Sequence, residues 1–122
     1  MRYLNKSGEF DYDFRSDILF FKVKDREYSH SIELSSLVID FDEEDFIVGL
    51  QIINASNIFK IPREQLRGVN GFQMQTEIED GVIQINVSFN IVLRNKKTEY
   101  KPIIFERIDE NIPNSKMICL VE

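Results

Sequence analysis

The sequence predicts a mainly β chain, at the border with α+β, and three observations carry that prediction. Apolar residues alternate with a period of two in several separate windows, most plainly from Ile83 to Leu93. Turn chemistry separates the windows, above all the acidic run Asp42–Asp45 and the dipeptide Asp80-Gly81. Helix-type signals are confined to one stretch near residues 56–67, too short for a major helix. The expected architecture is an antiparallel meander sheet that curls into a sandwich or open barrel, with one or two short helices in that stretch.

Taken in order, Glu9–Phe14 and Asp17–Lys24 read as a first hairpin turning near Arg15-Ser16. Its second strand, Ile18-Leu19-Phe20-Phe21-Lys22-Val23, is apolar on both faces for most of its length. Asp25-Arg26 turns the chain into Glu27–Leu34. Leu37, Ile39 and Phe41 then alternate with Val38, Asp40 and Asp42, and beyond the turn Phe46, Val48, Leu50 and Ile52 share one predicted face. Asn54-Ala55-Ser56-Asn57 supplies capping residues for a short helix, and Pro62 opens a second one that Gly68 stops. Phe72, Met74, Thr76 and Ile78 lead into Asp80-Gly81. Ile83, Ile85, Val87, Phe89, Ile91 and Leu93 point one way, and Gln84, Asn86, Ser88 and Asn90 the other. Arg94-Asn95-Lys96-Lys97 turns that strand into Glu99–Ile108, where Pro102 demands an edge or a bulge. Asp109–Ser115 reads as a loop and Lys116–Val121 as a final strand.

Several of these segments carry a resemblance. Asp11-Tyr12-Asp13 with Asp17-Ile18-Leu19-Phe20-Phe21, then Val38-Ile39-Asp40-Phe41-Asp42, Val48-Gly49-Leu50-Gln51-Ile52-Ile53 and Asn54-Ala55-Ser56, are similar to the domain of unknown function 2283 (DUF2283), a family of small β-rich prokaryotic proteins. The likeness covers residues 9–61. One departure stands out, since the family's acidic turn ends in glycine and this chain has Asp45. The resemblance implies the β-rich fold and no catalytic residue. Some members look like partners of small toxin-like proteins, which implies an antitoxin-type role.

At 122 residues the chain is expected to be one domain, with residues 1–61 family-like and 62–122 a β extension packed on them. No window nears the roughly 20 apolar residues of a membrane span, and residues 1–6 lack a signal segment. The single Cys119 has no internal disulfide partner, so the cytoplasm is the expected compartment. The net charge of −6 argues against nucleic acid, and most of the excess acid lies in the first half.

Candidate chemistry is sparse. Asp40, Asp42, Glu44 and Asp45 crowd oxygen ligands, but a calcium loop counted from Asp40 would need glycine and glutamate where Asp45 and Gln51 stand. Solvated carboxylates dispensable for folding are the expected reading of this turn. His30 and Cys119 form the sole Cys–His pair, and Cys119 sits in an apolar run where cysteine packs as a small buried residue. His30 reads as a surface residue. No catalytic, cofactor-binding or metal residue is assigned. Strands apolar on both faces need cover, which a homodimer would give. The expected function is therefore a non-enzymatic interaction module, antitoxin-like, that forms a homodimer or binds a small basic protein. The alternative is a small enzyme or ligand-binding protein with a pocket inside the curled sheet.

Overall fold

Each window of alternation forms a strand in the computed structural model of the chain, which describes residues 2–108 and 111–121. The strands are β1 (Arg2–Asp13), β2 (Ile18–Val23), β3 (His30–Glu33), β4 (Leu37–Phe41) and β5 (Ile47–Ile53), followed by β6 (Val69–Glu79), β7 (Val82–Leu93), β8 (Lys96–Tyr100), β9 (Ile103–Arg107) and β10 (Ser115–Val121). Two short helices, α1 (Ala55–Phe59) and α2 (Arg63–Leu66), lie between β5 and β6. All ten strands belong to one sheet of order β3-β4-β5-β2-β1-β10-β6-β7-β8, with β9 also on β7. Asp109 and Glu110, part of the expected loop 109–115, lie outside the described residues.

The predicted meander is interrupted at its centre. β1 and β10 pair in parallel, from Arg2 opposite Ser115 to Gly8 opposite Val121, whereas the other pairs are antiparallel. The first seven residues of β1 escaped the sequence reading because Asn5-Lys6-Ser7 breaks the apolar period and is exposed. What holds them is backbone pairing with β10 along their whole length, which β2 joins on the other side from Gly8 onward. Gly8 is required there: a Cβ would sit 2.6 Å from the Cys119 Sγ and 2.8 Å from the Lys22 carbonyl oxygen.

The expected single strand Glu99–Ile108 is divided by Pro102. Lacking an N–H, proline cannot donate to a ladder. β8 and β9 therefore pair with separate halves of β7, and the Pro102 carbonyl accepts the Val87 N–H at 3.0 Å between them. The predicted inner face of β7 is buried through Ile91, while Leu93 overhangs and is exposed. The turn Asp80-Gly81 has both φ positive, at 50° and 80°. That is the hairpin geometry the dipeptide favours.

A second correction concerns β5. Asp40 pairs with Gly49, yet Phe41 pairs with Ile47, so Val48 is an extra residue in the ladder. This β-bulge shifts the phase. Leu50 and Ile52 face the core as predicted, Ile47 joins them opposite Phe41, and Phe46 and Val48 are buried as well. β2 is also less two-faced than expected: Leu19, Phe21 and Val23 are buried, while Phe20 stays 36% exposed on the outer face.

The sheet is open, and it curls where β10 ends. In a flat sheet β2 and β6 would lie about 14 Å apart, three strand spacings. Yet Phe21 of β2 stacks on Phe72 of β6 with centroids 5.7 Å apart, and Phe10 of β1 stacks on the same ring at 5.0 Å. Phe89 continues the cluster towards Phe59 and Tyr100, both at 5.6 Å. The space inside the curl is thus occupied by phenylalanine rings. α1 and α2 close its mouth with Ala55, Phe59 and Leu66. Pro62 stands just before α2 as its cap, one position earlier than predicted.

Candidate functional site

Residues far apart in sequence meet around one buried carboxylate. Asp17 lies in the turn between β1 and β2 with φ of 58° and is only 1% exposed. The Tyr12 hydroxyl donates to its Oδ1 at 2.6 Å, and the Ser56 hydroxyl donates to its Oδ2 at 2.6 Å. The Ser56 backbone N–H adds a bond at 3.1 Å, and the Arg63 Nε lies 3.6 Å away. Asn54, in the left-handed region at φ 61°, caps α1 without any side-chain bond. Asp17 supplies that missing cap from across the fold, satisfying one of the orphan N–H groups of a helix start. Burial pulls the Asp17 carboxyl upward, but the bonds from Ser56 and Tyr12, with Arg63 beside them, outweigh it and hold it below the usual carboxylate range. Burial, then the bond to Asp17, pushes the Tyr12 phenol up. Each donor points at the carboxylate, so the arrangement is a clasp between the β1–β2 hairpin and α1.

The acidic turn differs from its expected solvated state. Asp42 is 5% exposed. Its Oδ1 accepts the backbone N–H of Glu44 at 2.9 Å and of Phe46 at 3.0 Å, and its Oδ2 accepts the Arg26 Nε at 2.6 Å. Arg2 donates to the Glu44 carbonyl oxygen and to that of Asp45, the latter at 3.2 Å. Both guanidiniums stack on the Phe46 ring, Arg2 at 4.4 Å and Arg26 at 5.5 Å from its centroid. Asp45 adopts φ 63°, a backbone suited to the glycine its place calls for. Glu43 and Glu44 are exposed. Among the described residues no three His, Cys, Asp or Glu side chains come together where a metal could bind.

These roles predict a split within one turn. Asp42→Ala should cost about 2 kcal/mol or more, because it strips Arg26 and two N–H groups of their acceptor. Glu43→Gln with Glu44→Gln should change stability by less than about 0.5 kcal/mol, as exposed charges contribute little. Urea midpoints of the two variants check this, and equal shifts would refute it.

His30 and Cys119 do not meet. His30 lies on the edge strand β3, half-buried, stacked on Phe41 at 5.3 Å with its Nε2 3.4 Å from Asp45. Cys119 lies on β10, five strand spacings or about 24 Å away along the sheet. It is fully buried, and burial pushes its thiol up to about 11. A thiol so protonated is a poor nucleophile.

An outer sheet face stands apart in composition. Its rows run Tyr3, Lys116, Glu77, Gln84, Phe105 and, beside it, Asn5, Ile118, Gln75, Asn86, Ile103. Tyr3, Ile103, Phe105 and Ile118 are exposed by 73, 57, 62 and 39%. From Val82 to Val92 the outward residues of β7 include no charge, in a chain that is 30% charged.

A family model described as "Protein of unknown function (DUF2283)" matches residues 9–56, the segment holding Tyr12, Asp17, Asp42 and Ser56. A Methanosarcina mazei protein named "Putative hypoxanthine phosphoribosyltransferase" is 32% identical over 79% of this chain and 78% of its own length. The chain belongs to the DUF2283 family. A second relative, an uncharacterized protein of Methanocaldococcus jannaschii, is 28% identical over 71% of this chain and 76% of its own length. No solved structure matches the chain. The Tyr12–Asp17–Ser56 clasp lies within the matched residues and within the segments that carried the resemblance. No local pattern points to Arg2 or Arg26, since neither the parallel β1–β10 pair nor the path of residues 24–29 follows from neighbouring residues.

Proposed function

We propose that this DUF2283 protein is a cytoplasmic, non-enzymatic interaction module whose first partner is a second copy of itself. The observation that carries the reading is the outer face of β10, β6, β7 and β9. Its centre holds the amides of Gln75, Gln84 and Asn86 beside the charged pair Lys116 and Glu77, and apolar side chains flank it on both sides, Tyr3 with Ile118 and Ile103 with Phe105. A two-fold axis along β6 lays Tyr3 over Phe105 and Lys116 over Gln84 of the second copy and sets Gln75 against Gln75, whose amide carries both donors and acceptors. The rows span four strand spacings, about 19 Å. A patch of that width fits a small, concentration-dependent dimer rather than an obligate one. The need for cover that the sequence suggested for β2 and β5 is thus transferred to this face.

Sedimentation equilibrium tests the reading. A dimer is expected at high concentration, dissociating on dilution. Ile103→Glu with Phe105→Glu should leave a monomer of unchanged melting temperature, since both side chains are exposed. A monomeric parent at every concentration refutes the proposal.

A small basic protein is the second partner this reading admits, in the antitoxin manner, because Glu43 and Glu44 project from a tip that Arg2 and Arg26 hold rigid. Steered association with such a partner would slow when both are changed to glutamine, most at low salt. The activity in the Methanosarcina relative's name finds no support in this geometry. Phosphoribosyl transfer needs a cradle for several phosphates, and the helices described here are five and four residues long.

A further inference from the structure

A cleft of about 520 Å3 opens on the outer face of the other half of the sheet, between β2, β5 and β4 and beneath residues 26–28. That volume falls within the range of small-molecule sites. One row of the ladder forms its floor: Lys22, then Gly49, then Asp40, on three adjacent strands. The Ser31 hydroxyl donates to the Asp40 Oδ1 at 2.6 Å and fixes the carboxylate. The Asp40 Oδ2 lies over Gly49, 2.7 Å from where a Cβ would stand. The missing side chain of Gly49 is what lets the carboxylate reach into the cleft. No described residue donates to this Oδ2, and no buried side-chain oxygen or nitrogen lacks a partner, so the atom is open to solvent. Lys22 is exposed, and among the described residues no carboxylate lies within ion-pairing distance of its ammonium. Phe20 and Tyr28, 36 and 66% exposed, give the cleft aromatic walls. The bulge at Val48, next to Gly49, sets the local twist of this floor.

A fixed acceptor, an unpaired ammonium about two strand spacings away along the backbone, and two aromatic surfaces define a ligand. It carries a cationic donor and an anion a few ångströms apart, with an apolar group attached. We propose that the cleft binds a free α-amino acid with an aromatic side chain, its ammonium on the Asp40 Oδ2, its carboxylate on the Lys22 ammonium and its ring against Phe20 and Tyr28. Charge-assisted bonds at both ends would give orientation, and the rings would supply the apolar contact.

Titration of the full chain with L-phenylalanine, followed by calorimetry and by amide NMR shifts, tests this. Saturable binding is expected, with shifts centred on Lys22, Asp40 and Gly49. N-acetyl-L-phenylalanine amide, which keeps the ring and loses both charges, should bind at least about tenfold more weakly, the loss of one charge-assisted bond or more. Asp40→Asn and Lys22→Met should each weaken L-phenylalanine by about tenfold or more while circular dichroism stays unchanged. Gly49→Ala, which displaces the Asp40 carboxylate, serves only where its spectrum matches the parent. No saturable binding of L-phenylalanine, equal binding of the uncharged analogue, or unchanged affinity in both charge variants each overturns the proposal. The dimer test above uses the opposite half of the sheet, so the two readings fail independently.

Discussion

Phe89→Ala is expected to lower unfolding free energy by about 3–5 kcal/mol, while Asn90→Ala, its neighbour on the opposite face, changes it by less than about 1 kcal/mol. The Phe89 side chain is fully buried and touches rings from three other elements: Phe72 on β6, Phe59 on α1 and Tyr100 on β8. Removing it leaves a cavity at the point where the two halves of the curled sheet and the helical mouth converge. Collapse around the hole is limited because each neighbour is anchored in its own strand or helix. Urea denaturation of both variants measures the difference, and comparable midpoints would contradict the assignment of faces. For a domain of this size a loss of that order is a large share of total stability.

Asp17→Ala is expected to cost about as much, roughly 3–5 kcal/mol, because it leaves the Tyr12 hydroxyl, the Ser56 hydroxyl and N–H, and Arg63 without their shared acceptor. Asp17→Asn keeps the shape and loses the charge, and should cost less. The carboxyl also sets a pH dependence. Its folded value lies below the ordinary 3.8, so the stabilisation is fully present above that pH and is lost as pH falls through the lower folded value. Asp13, held down first by the Ser16 hydroxyl and then by the Arg15 N–H, titrates in the same acid window. Subtracting the acid denaturation curve of Asp17→Asn from that of the parent isolates Asp17. Tyr12 acts at the other end: its phenol is raised above 10.0, so its contribution is present below that pH and lost as pH rises. A parent and variant whose midpoints run parallel from neutral pH down to acid would contradict the clasp.

The parts of this fold that were legible in sequence are those decided by local chemistry. β7 could be read because Ile83, Ile85, Val87, Phe89 and Ile91 keep strict alternation over a polar outer face, and Asp80-Gly81 demands its hairpin. Pro102 announced an interruption because it removes a donor. The bulge at Val48 was hidden, since an extra residue in a ladder leaves an apolar run still apolar. Arg2–Gly8 was hidden because its place in the sheet is set by backbone partners more than a hundred positions away. The role of Asp42 is illegible in sequence for a similar reason. A run of acids looks alike in sequence whichever member turns inward, and only the arrival of Arg26 and the N–H groups of Glu44 and Phe46 selects one.

The parallel pair at the centre of the sheet bears on how the chain reaches this state. Joining Arg2 to Ser115 closes nearly the whole described chain into one loop. Closure entropy grows only slowly with length, so the equilibrium cost is modest. The rate is another matter, because so distant a contact must be found by search before it is rewarded, and high contact order slows folding. Until residues 115–121 arrive, β1 and β6 each present an open edge, and each can recruit a stray strand. A slow refolding phase that scales inversely with yield at high protein concentration is the kinetic trace such an architecture leaves, and a peptide spanning residues 115–121 added in trans would be its natural competitor.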